Sequence, residues 1–151
     1  MQGFVGLSDE AIAGLEPWLR FSPAVCAAWA GTATWAASPA TLGTLTVFAV
    51  LGAVLPQHPF DAIYNHGARY VTRTPPIPRY AAPRRFACVV AAAWLAATTA
   101  CFAAGAPGPG YALGALFTLV ALVPVATGFC VPSFVYGLVF NRRAARAPAR
   151  T

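Results

Sequence analysis

The sequence predicts an all-α integral membrane protein, built as a bundle of four helical spans, and three observations lead to that prediction. Hydrophobic residues make up 58% of the 151-residue chain and charged residues only 9%, whereas about a quarter of the residues in a typical globular protein are charged. Two long stretches, 21–60 and 86–140, contain no Asp, Glu, Lys or Arg. All ten cationic residues are arginines, and they fall outside these stretches.

The uncharged stretches set the number of spans. A helix needs about 20 residues to cross the hydrocarbon core, so each stretch is long enough for two crossings. Ser38-Pro39 divides the first stretch and the Gly- and Pro-rich segment 105–110 divides the second, and both carry turn residues that helices avoid. The sequence therefore predicts spans near 21–37, 40–56, 86–104 and 111–131, an interfacial arm at 1–20, a loop at 57–85, and an interfacial helix end with a basic tail at 132–151.

The arginines also predict the orientation. With four spans, every arginine lies in the arm, the middle loop or the tail, which share one side of the membrane, and the two short loops on the other side are uncharged. Arginine in short loops marks the cytoplasmic side. We expect a multi-pass protein of the bacterial cytoplasmic membrane with both termini in the cytoplasm. Anionic lipid headgroups are a sufficient partner for the net charge of +6, and nucleic-acid binding is not needed to explain it.

The middle loop predicts a short amphipathic helix that begins at Pro59. On an ideal helix its residues divide into an apolar face and a polar face: the first is Phe60, Ile63, Tyr64, Gly67 and Val71, and the second is Asp61, Asn65 and Arg69. If Asp61 is partly buried, it needs a partner among Arg69, Arg73, Arg84 and Arg85. We expect Asp61, Arg69, Arg84 and Arg85 to have a structural role in a lipid-facing loop.

Three of the four cysteines fall at one predicted depth. Cys26, Cys88 and Cys130 lie towards the cytoplasmic ends of their spans, and His58 follows the second span at the same level. Three thiols and an imidazole at one depth could bind a soft metal or take part in thiol exchange. The other interpretation is that these cysteines are small apolar packing residues, which is the commoner use of a buried cysteine. Cys101 lies towards the opposite end of the third span.

The segment Cys130-Val131-Pro132-Ser133 predicts a break in the last helix. Pro132 removes the backbone donor that would pair with the carbonyl of Gly128, and Ser133 can satisfy the exposed backbone. A thiol at such a break is more accessible than one in the middle of a helix. The alternative is a plain proline kink, which membrane helices tolerate.

The sequence requires no particular cofactor. Besides a soft metal at the cysteines, a haem or a chlorophyll-type pigment could take His58 or His66 as an axial ligand, although both lie outside the predicted spans. The spans contain no acid, so an ion-coupled transporter would lack its usual residues. No nucleotide-binding motif and no hydrolase signature occurs in the chain.

Three motifs follow one another in the second and last thirds of the chain. They are His58-Pro59-Phe60-Asp61 with Ile63-Tyr64-Asn65, then Arg84-Arg85-Phe86-Ala87-Cys88, and finally Phe129-Cys130-Val131-Pro132-Ser133. In this order they resemble a bacterial domain-of-unknown-function family of small membrane proteins with four predicted spans. The resemblance covers about residues 45–140 and implies no activity, because the family has none assigned.

Two functions from different classes fit these observations. The small-residue pairs Ala27/Gly31 and Gly110/Gly114 and the absence of a catalytic constellation favour a non-enzymatic accessory subunit. Such a subunit would pack against partner proteins in a larger membrane assembly, for example a respiratory or photosynthetic one. The alternative is a thiol-redox or soft-metal-handling protein, which would use Cys130 together with the other two cysteines at that depth or with His58.

Overall fold

The computed structural model describes Leu15 and residues 17–141, and every regular element in that part of the chain is helical. The predictions for the N-terminal arm up to residue 14, for residue 16 and for the basic tail from residue 142 lie outside the described residues. In chain order the elements are α1 Phe21–Trp35, α2 Pro39–Val54, α3 Pro59–Ile63, a π-helical segment Tyr64–Ala68, α4 Arg69–Thr72, α5 Ala82–Ala103, α6 Pro107–Thr127, α7 Val131–Tyr136 and a second π-helical segment Gly137–Asn141.

The lengths of the helices confirm an all-α membrane protein. Helices α5 and α6 have 22 and 21 residues and are long and apolar enough to cross a bilayer. Helix α2 and the helical stretch Pro59–Thr72 would together make a third candidate, although the chain bends by 77° between them. Helix α1 has 15 residues, or about 22 Å of helix, against a hydrocarbon core of about 30 Å. By length, the described residues thus contain two spans, or three if the bent pair is one.

The four longest helices pack against one another. Helix α2 lies mainly against α5 and α1 mainly against α6, while α5 also contacts α6 and α1 also contacts α2. Ala30, Leu42, Leu45 and Leu95 form the centre of the packed core. We call the end at which α1 and α5 begin and α2 and α6 end the loop end, because the middle loop folds over it.

The contact between α1 and α6 depends on glycine. A Cβ added to Gly114 would lie 2.5 Å from Cγ2 and 2.9 Å from Cβ of Thr34, and one added to Gly31 would lie 3.3 Å from Cγ2 of Thr118. Real Cβ atoms do not come so close to a neighbour as the Gly114 position would require. The small residues that the sequence assigned to helix contacts are therefore used for packing within this chain.

Helices α5 and α6 begin earlier than the predicted spans at 86 and 111. Pro83 and Pro107 occupy the first turns of these helices, although the segment that contains Pro107 was interpreted only as a turn. In the first turn of a helix, a backbone N–H has no hydrogen-bond partner within the helix. Proline, which lacks this N–H, therefore loses no hydrogen bond there. As a consequence, Arg84 belongs to the first turn of α5 and not to the loop.

Asn65 holds two parts of the middle loop together. Its side-chain amide donates to the carbonyl of Ile77 at 3.0 Å, and the N–H of Ile77 donates to its Oδ1 at 2.7 Å. These two hydrogen bonds resemble the pair that joins two β-strand residues, except that the Asn65 side chain takes the place of one backbone. Ile77 then packs with Tyr64, Leu15 and Leu19 in a second apolar cluster, so the segment before α1 and the loop stabilise each other.

The helix after Pro59 is present, but its buried side coincides only in part with the predicted apolar face: Phe60 and Tyr64 of that face are buried. Phe60 and Asp61 are buried, whereas Ile63 is 65% and Val71 is 87% exposed. Asp61 is accommodated because it has a hydrogen-bond partner inside the protein. The segment Tyr64–Ala68 is π-helical, and its wider turn changes the angular position of later residues such as Val71.

We expect Gly114→Ala to lower the free energy of unfolding by about 1–3 kcal/mol, as overpacking does, because the new methyl group would overlap Thr34. Gly43→Ala is the matched control, since a Cβ there would lie 3.8 Å from Cγ2 of Thr99, an ordinary contact. Thermal unfolding in detergent micelles, followed by circular dichroism, should show a lower midpoint for Gly114→Ala alone. Equal midpoints for the two variants would contradict the close α1–α6 contact.

Candidate functional site

A cavity of about 160 Å³ extends from the loop end into the bundle. Its deeper wall is apolar and includes Leu45, Trp94, Leu95 and Phe117. Its loop end carries the side chains with chemistry: Cys26, Cys88 and Cys130, together with His58, Tyr80 and Arg84.

The structure brings the predicted cysteines to this one cavity. Cys26 comes from α1, Cys88 from α5 and Cys130 from the break before α7. Cys88 is close enough to the other two for an electrostatic interaction with each of them. Cys101, on the far part of α5, does not line the cavity. All four are free cysteines.

The cavity side chains do not form a metal-ligand cluster. Among Leu15 and residues 17–141, no three His, Cys, Asp or Glu side chains converge closely enough to hold one ion. A structural zinc site needs four such ligands, and catalytic zinc sites use three. The arrangement favours the chemistry of thiols over a closed metal centre of this kind.

His58 lies directly beside Cys88. A Cβ added to Gly52 would lie 3.2 Å from both the Nε2 of His58 and the Sγ of Cys88. The Nε2 of His58 and the Sγ of Cys88 are therefore no farther apart than twice 3.2 Å. Only a glycine at position 52 leaves room for both groups.

Burial and the nearby guanidinium of Arg84 lower the pKa of His58 to about 4, so its imidazole is neutral at pH 7. Its Nδ1 accepts a hydrogen bond from the N–H of Phe60 at 3.4 Å, as the N-cap of α3. Because a neutral imidazole carries one proton, that proton is on Nε2. His58 therefore presents an N–H donor on the side of Cys88.

A buried polar cluster closes the loop end of the cavity. The hydroxyl of Tyr80 donates to Oδ2 of Asp61 at 2.5 Å, and the guanidinium carbon of Arg84 lies 4.9 Å from the centre of the Tyr80 ring. Arg84 also donates to the carbonyl of Leu19 at 3.3 Å. Asp61 and Arg84 are 1% and 9% exposed. They lie inside the protein and not on the lipid-facing surface that the sequence predicted.

The electrostatics of this cluster link Asp61 to Arg84. Burial raises the pKa of the Asp61 carboxyl, while the Tyr80 hydrogen bond and the charge of Arg84 oppose that rise. Burial also raises the pKa of Tyr80 well above its ordinary value, with Arg84 opposing and Asp61 reinforcing the change. Arg84 is thus the arginine that acts on Asp61, and it contributes a lasting positive charge to this end of the cavity.

The break at Cys130 has a different cause from the predicted one. Helix α6 ends one residue before Gly128, which takes a left-handed conformation with φ of 71° that glycine adopts without strain. Pro132 is in the first turn of α7, so it begins a new helix. The hydroxyl of Ser133 lies 3.2 Å from the carbonyl of Pro83 and 3.2 Å from Sγ of Cys130. Ser133 therefore connects α7 to α5. Its hydroxyl does not satisfy the carbonyl of Gly128, which the sequence had suggested as the exposed group.

Other predicted residues lie away from the cavity. His66 is exposed, with its Nδ1 2.8 Å from the carbonyl of Ala62, and the guanidinium of Arg69 donates to the hydroxyl of Tyr70 at 2.8 Å. Arg85 follows Arg84 in the first turn of α5 but does not line the cavity either.

Sequence reasoning missed two residues near the site, Tyr80 and Arg20. Tyr80 follows a proline-rich segment that has no periodicity, and the only signal was an aromatic residue four positions before an arginine. Arg20 donates from Nη1 to the carbonyls of Val125 at 3.1 Å and Ala126 at 3.3 Å. It thereby caps the last turn of α6, where a positive charge complements the helix dipole.

We expect His58 to make stability depend on pH. Since its pKa is about 4 in the folded protein and 6.5 ordinarily, the unfolded chain binds the extra proton between these values. The free energy of unfolding contributed by His58 should fall as the pH is lowered from 6.5 towards 4, by up to about 3 kcal/mol.

Unfolding in detergent over this pH range measures the effect as the difference between wild type and His58→Gln. Asp61, whose pKa is raised, contributes a slope of opposite sign, but both proteins share it. His66→Gln, at the exposed histidine of the same loop, is the control and should follow wild type. Parallel pH profiles for wild type and His58→Gln would show that His58 is not buried in its neutral form.

Comparison with protein-family models assigns the chain to a family. The model described as "Domain of unknown function (DUF4395)" matches residues 16–141. The match is longer than the region of the three sequence motifs, and it includes every cavity residue named above. Neither the curated proteins nor the solved structures give a match to the chain. The chain therefore belongs to the DUF4395 family, for which no activity is assigned.

Proposed function

We propose that this protein is a thiol-based redox protein of the membrane, in which Cys88 forms a reversible disulfide with Cys130 or Cys26. The observation that supports it most is that three cysteines from three separate segments border one cavity. A cysteine that serves only in packing fills space between its neighbours. These three border space that stays open, which a packing role does not explain.

The proposed chemistry is a two-electron exchange. Two S–H bonds break and one S–S bond forms, and two electrons and two protons pass to an acceptor; a dithiol reductase reverses the step. Because disulfide geometry requires Cα atoms within about 7 Å of each other, the segment that carries Cys130 would adjust as the bond forms.

Two polar groups lie near Cys88, the central thiol of the proposal. Burial in an apolar wall opposes ionisation of a thiol, whereas a neighbouring cation favours it. Arg84 lies one helical turn before Cys88 on α5 and interacts with it electrostatically. The Nε2 of His58 and the Sγ of Cys88 both lie next to Gly52.

The orientation that we propose places this site on the cytoplasmic side of a bacterial inner membrane, with both termini in the cytoplasm. Within the described part of the chain, the arginines lie at the loop end: Arg20, Arg69, Arg73, Arg79, Arg84 and Arg85. The connections α1–α2 and α5–α6 at the other end carry none, which the positive-inside rule assigns to the outer side. Thiols facing the cytoplasm are kept reduced, which suits a transient disulfide.

A second proposal, an accessory subunit of a larger membrane assembly, is supported by a different surface. Ile63, Tyr70 and Val71 are 65%, 65% and 87% exposed, outside the long helices. Such a cluster fits a partner protein or the headgroup region of the bilayer. The small-residue helix faces support this function less than the sequence suggested, because Gly31 and Gly114 pack within the chain.

The test of the thiol proposal is to oxidise the reduced full-length protein in lipid nanodiscs with a low-molecular-weight disulfide, then to count unreacted thiols with a maleimide by mass spectrometry. We expect two thiols to be lost, out of four in wild type and out of three in Cys101→Ser, where the replaced thiol is the one outside the cavity. Cys88→Ser should lose none to an internal disulfide, and peptide mapping should identify Cys88 as one partner.

Wild-type protein that keeps all four thiols would contradict the redox function. Gentle purification supplies the matching test of the second proposal. A stoichiometric partner that is retained by Cys88→Ser and lost on Val71→Asp would support the subunit function, and a monomeric wild-type protein would contradict it.

A further inference from the structure

The size of the cavity fits a single ring. Its volume is about 160 Å³, and an apolar cavity of about 150 Å³ in another protein is sufficient to bind benzene. The cavity is not fully enclosed. A ligand with one ring can therefore place it inside while a longer substituent leaves through the opening.

The deep wall offers an apolar surface to such a ring. Trp94 and Phe117 meet edge to face, with ring centres 6.1 Å apart. The indole N–H of Trp94 donates to the carbonyl of Leu113 at 3.1 Å, so it is not directed at the cavity. Leu45 and Leu95 belong to the same apolar wall. The ring that fits here carries apolar substituents.

The loop end offers hydrogen-bond donors and positive charge. His58 presents its Nε2–H at this end, and Arg84 lines it as well, with its guanidinium over the Tyr80 ring. The carboxylate of Asp61, which would repel an oxygen-bearing ligand, accepts a hydrogen bond from Tyr80. A ligand that matches this end carries acceptor oxygens on its ring.

We infer that the cavity takes the ring of a lipid-soluble quinone, and that this quinone is the electron acceptor for the cavity thiols; the inference rests on the proposed redox function. A fatty acid or a phospholipid headgroup also has acceptor oxygens, but neither oxidises a thiol. A quinone has acceptor oxygens and also oxidises thiols. Two S–H bonds break, one S–S bond forms at Cys88, and the two electrons and two protons convert both quinone carbonyls to the hydroxyls of the quinol.

In this step the protein supplies position and charge. The donors at His58 and Arg84 lie where a carbonyl oxygen of the quinone gains negative charge during reduction, and preorganised donors stabilise such charge best in a water-poor site. Cys88 lies beside both groups, so the electron donor and the polarised carbonyl meet at the same end of the cavity.

The binding test uses a short-chain benzoquinone analogue added to the full-length protein in nanodiscs, with tryptophan fluorescence as the readout. We expect saturable quenching in wild type. Ala91→Phe and Ala121→Phe, which fill the cavity from α5 and α6, should each weaken binding at least about tenfold. Ala97→Phe, at an exposed position of α5, is the matched control and should bind as wild type. Circular dichroism checks that each variant is folded.

The redox test mixes the reduced protein with the same quinone and measures quinol absorbance and unreacted thiols together. We expect one quinol per disulfide in wild type and none in Cys88→Ser. Unsaturable quenching, or equal affinity for Ala91→Phe, Ala121→Phe and Ala97→Phe, overturns the quinone assignment. A disulfide formed by a low-molecular-weight disulfide would still support the thiol function in that case. Saturable binding without a disulfide from either oxidant overturns both the thiol function and the electron transfer.

Discussion

The burial of Arg84 at the loop end is the constraint on which the rest of the structure depends. Removing a guanidinium from water costs several kcal/mol unless opposite charge and hydrogen bonds compensate. The compensation comes from three segments: Asp61 after α2, Tyr80 before α5 and the carbonyl of Leu19 before α1. These segments must therefore fold together over the bundle. The cavity has fixed walls at this end because its cover cannot leave without exposing or unpairing a charge.

The membrane class and the depth of the cysteines could be predicted because they follow from counting. A bilayer accepts few backbone structures other than helices, and a rise of 1.5 Å per residue converts sequence position into depth. The rotation of each helix could not be predicted in the same way. Helices that are apolar on all sides carry no pattern to show which side faces lipid. Whether Cys26 and Cys88 turn towards each other is therefore decided only by packing.

The middle loop was predicted less well, for reasons that lie in particular residues. Prolines are strong turn signals, yet Pro83 is equally suited to the first turn of a helix. Asn65 forms hydrogen bonds with the backbone of Ile77, twelve residues later, and no local sequence pattern predicts such a contact. The placement of Tyr80 against Asp61 depends on both of these features. Tyr80 was accordingly the residue of the polar end that sequence reasoning missed, whereas His58 and the pairing of a buried Asp61 with an arginine were anticipated.

Gly52 shows how closely the candidate site and the fold are joined. The imidazole of His58 and the sulfur of Cys88, which reach it from the loop and from α5, both occupy the space next to its backbone. One added methyl group would displace a cap of α3 and a cavity thiol together. Selection for a stable protein and selection for a working cavity therefore act on the same residue, and mutational tolerance at position 52 cannot separate the two.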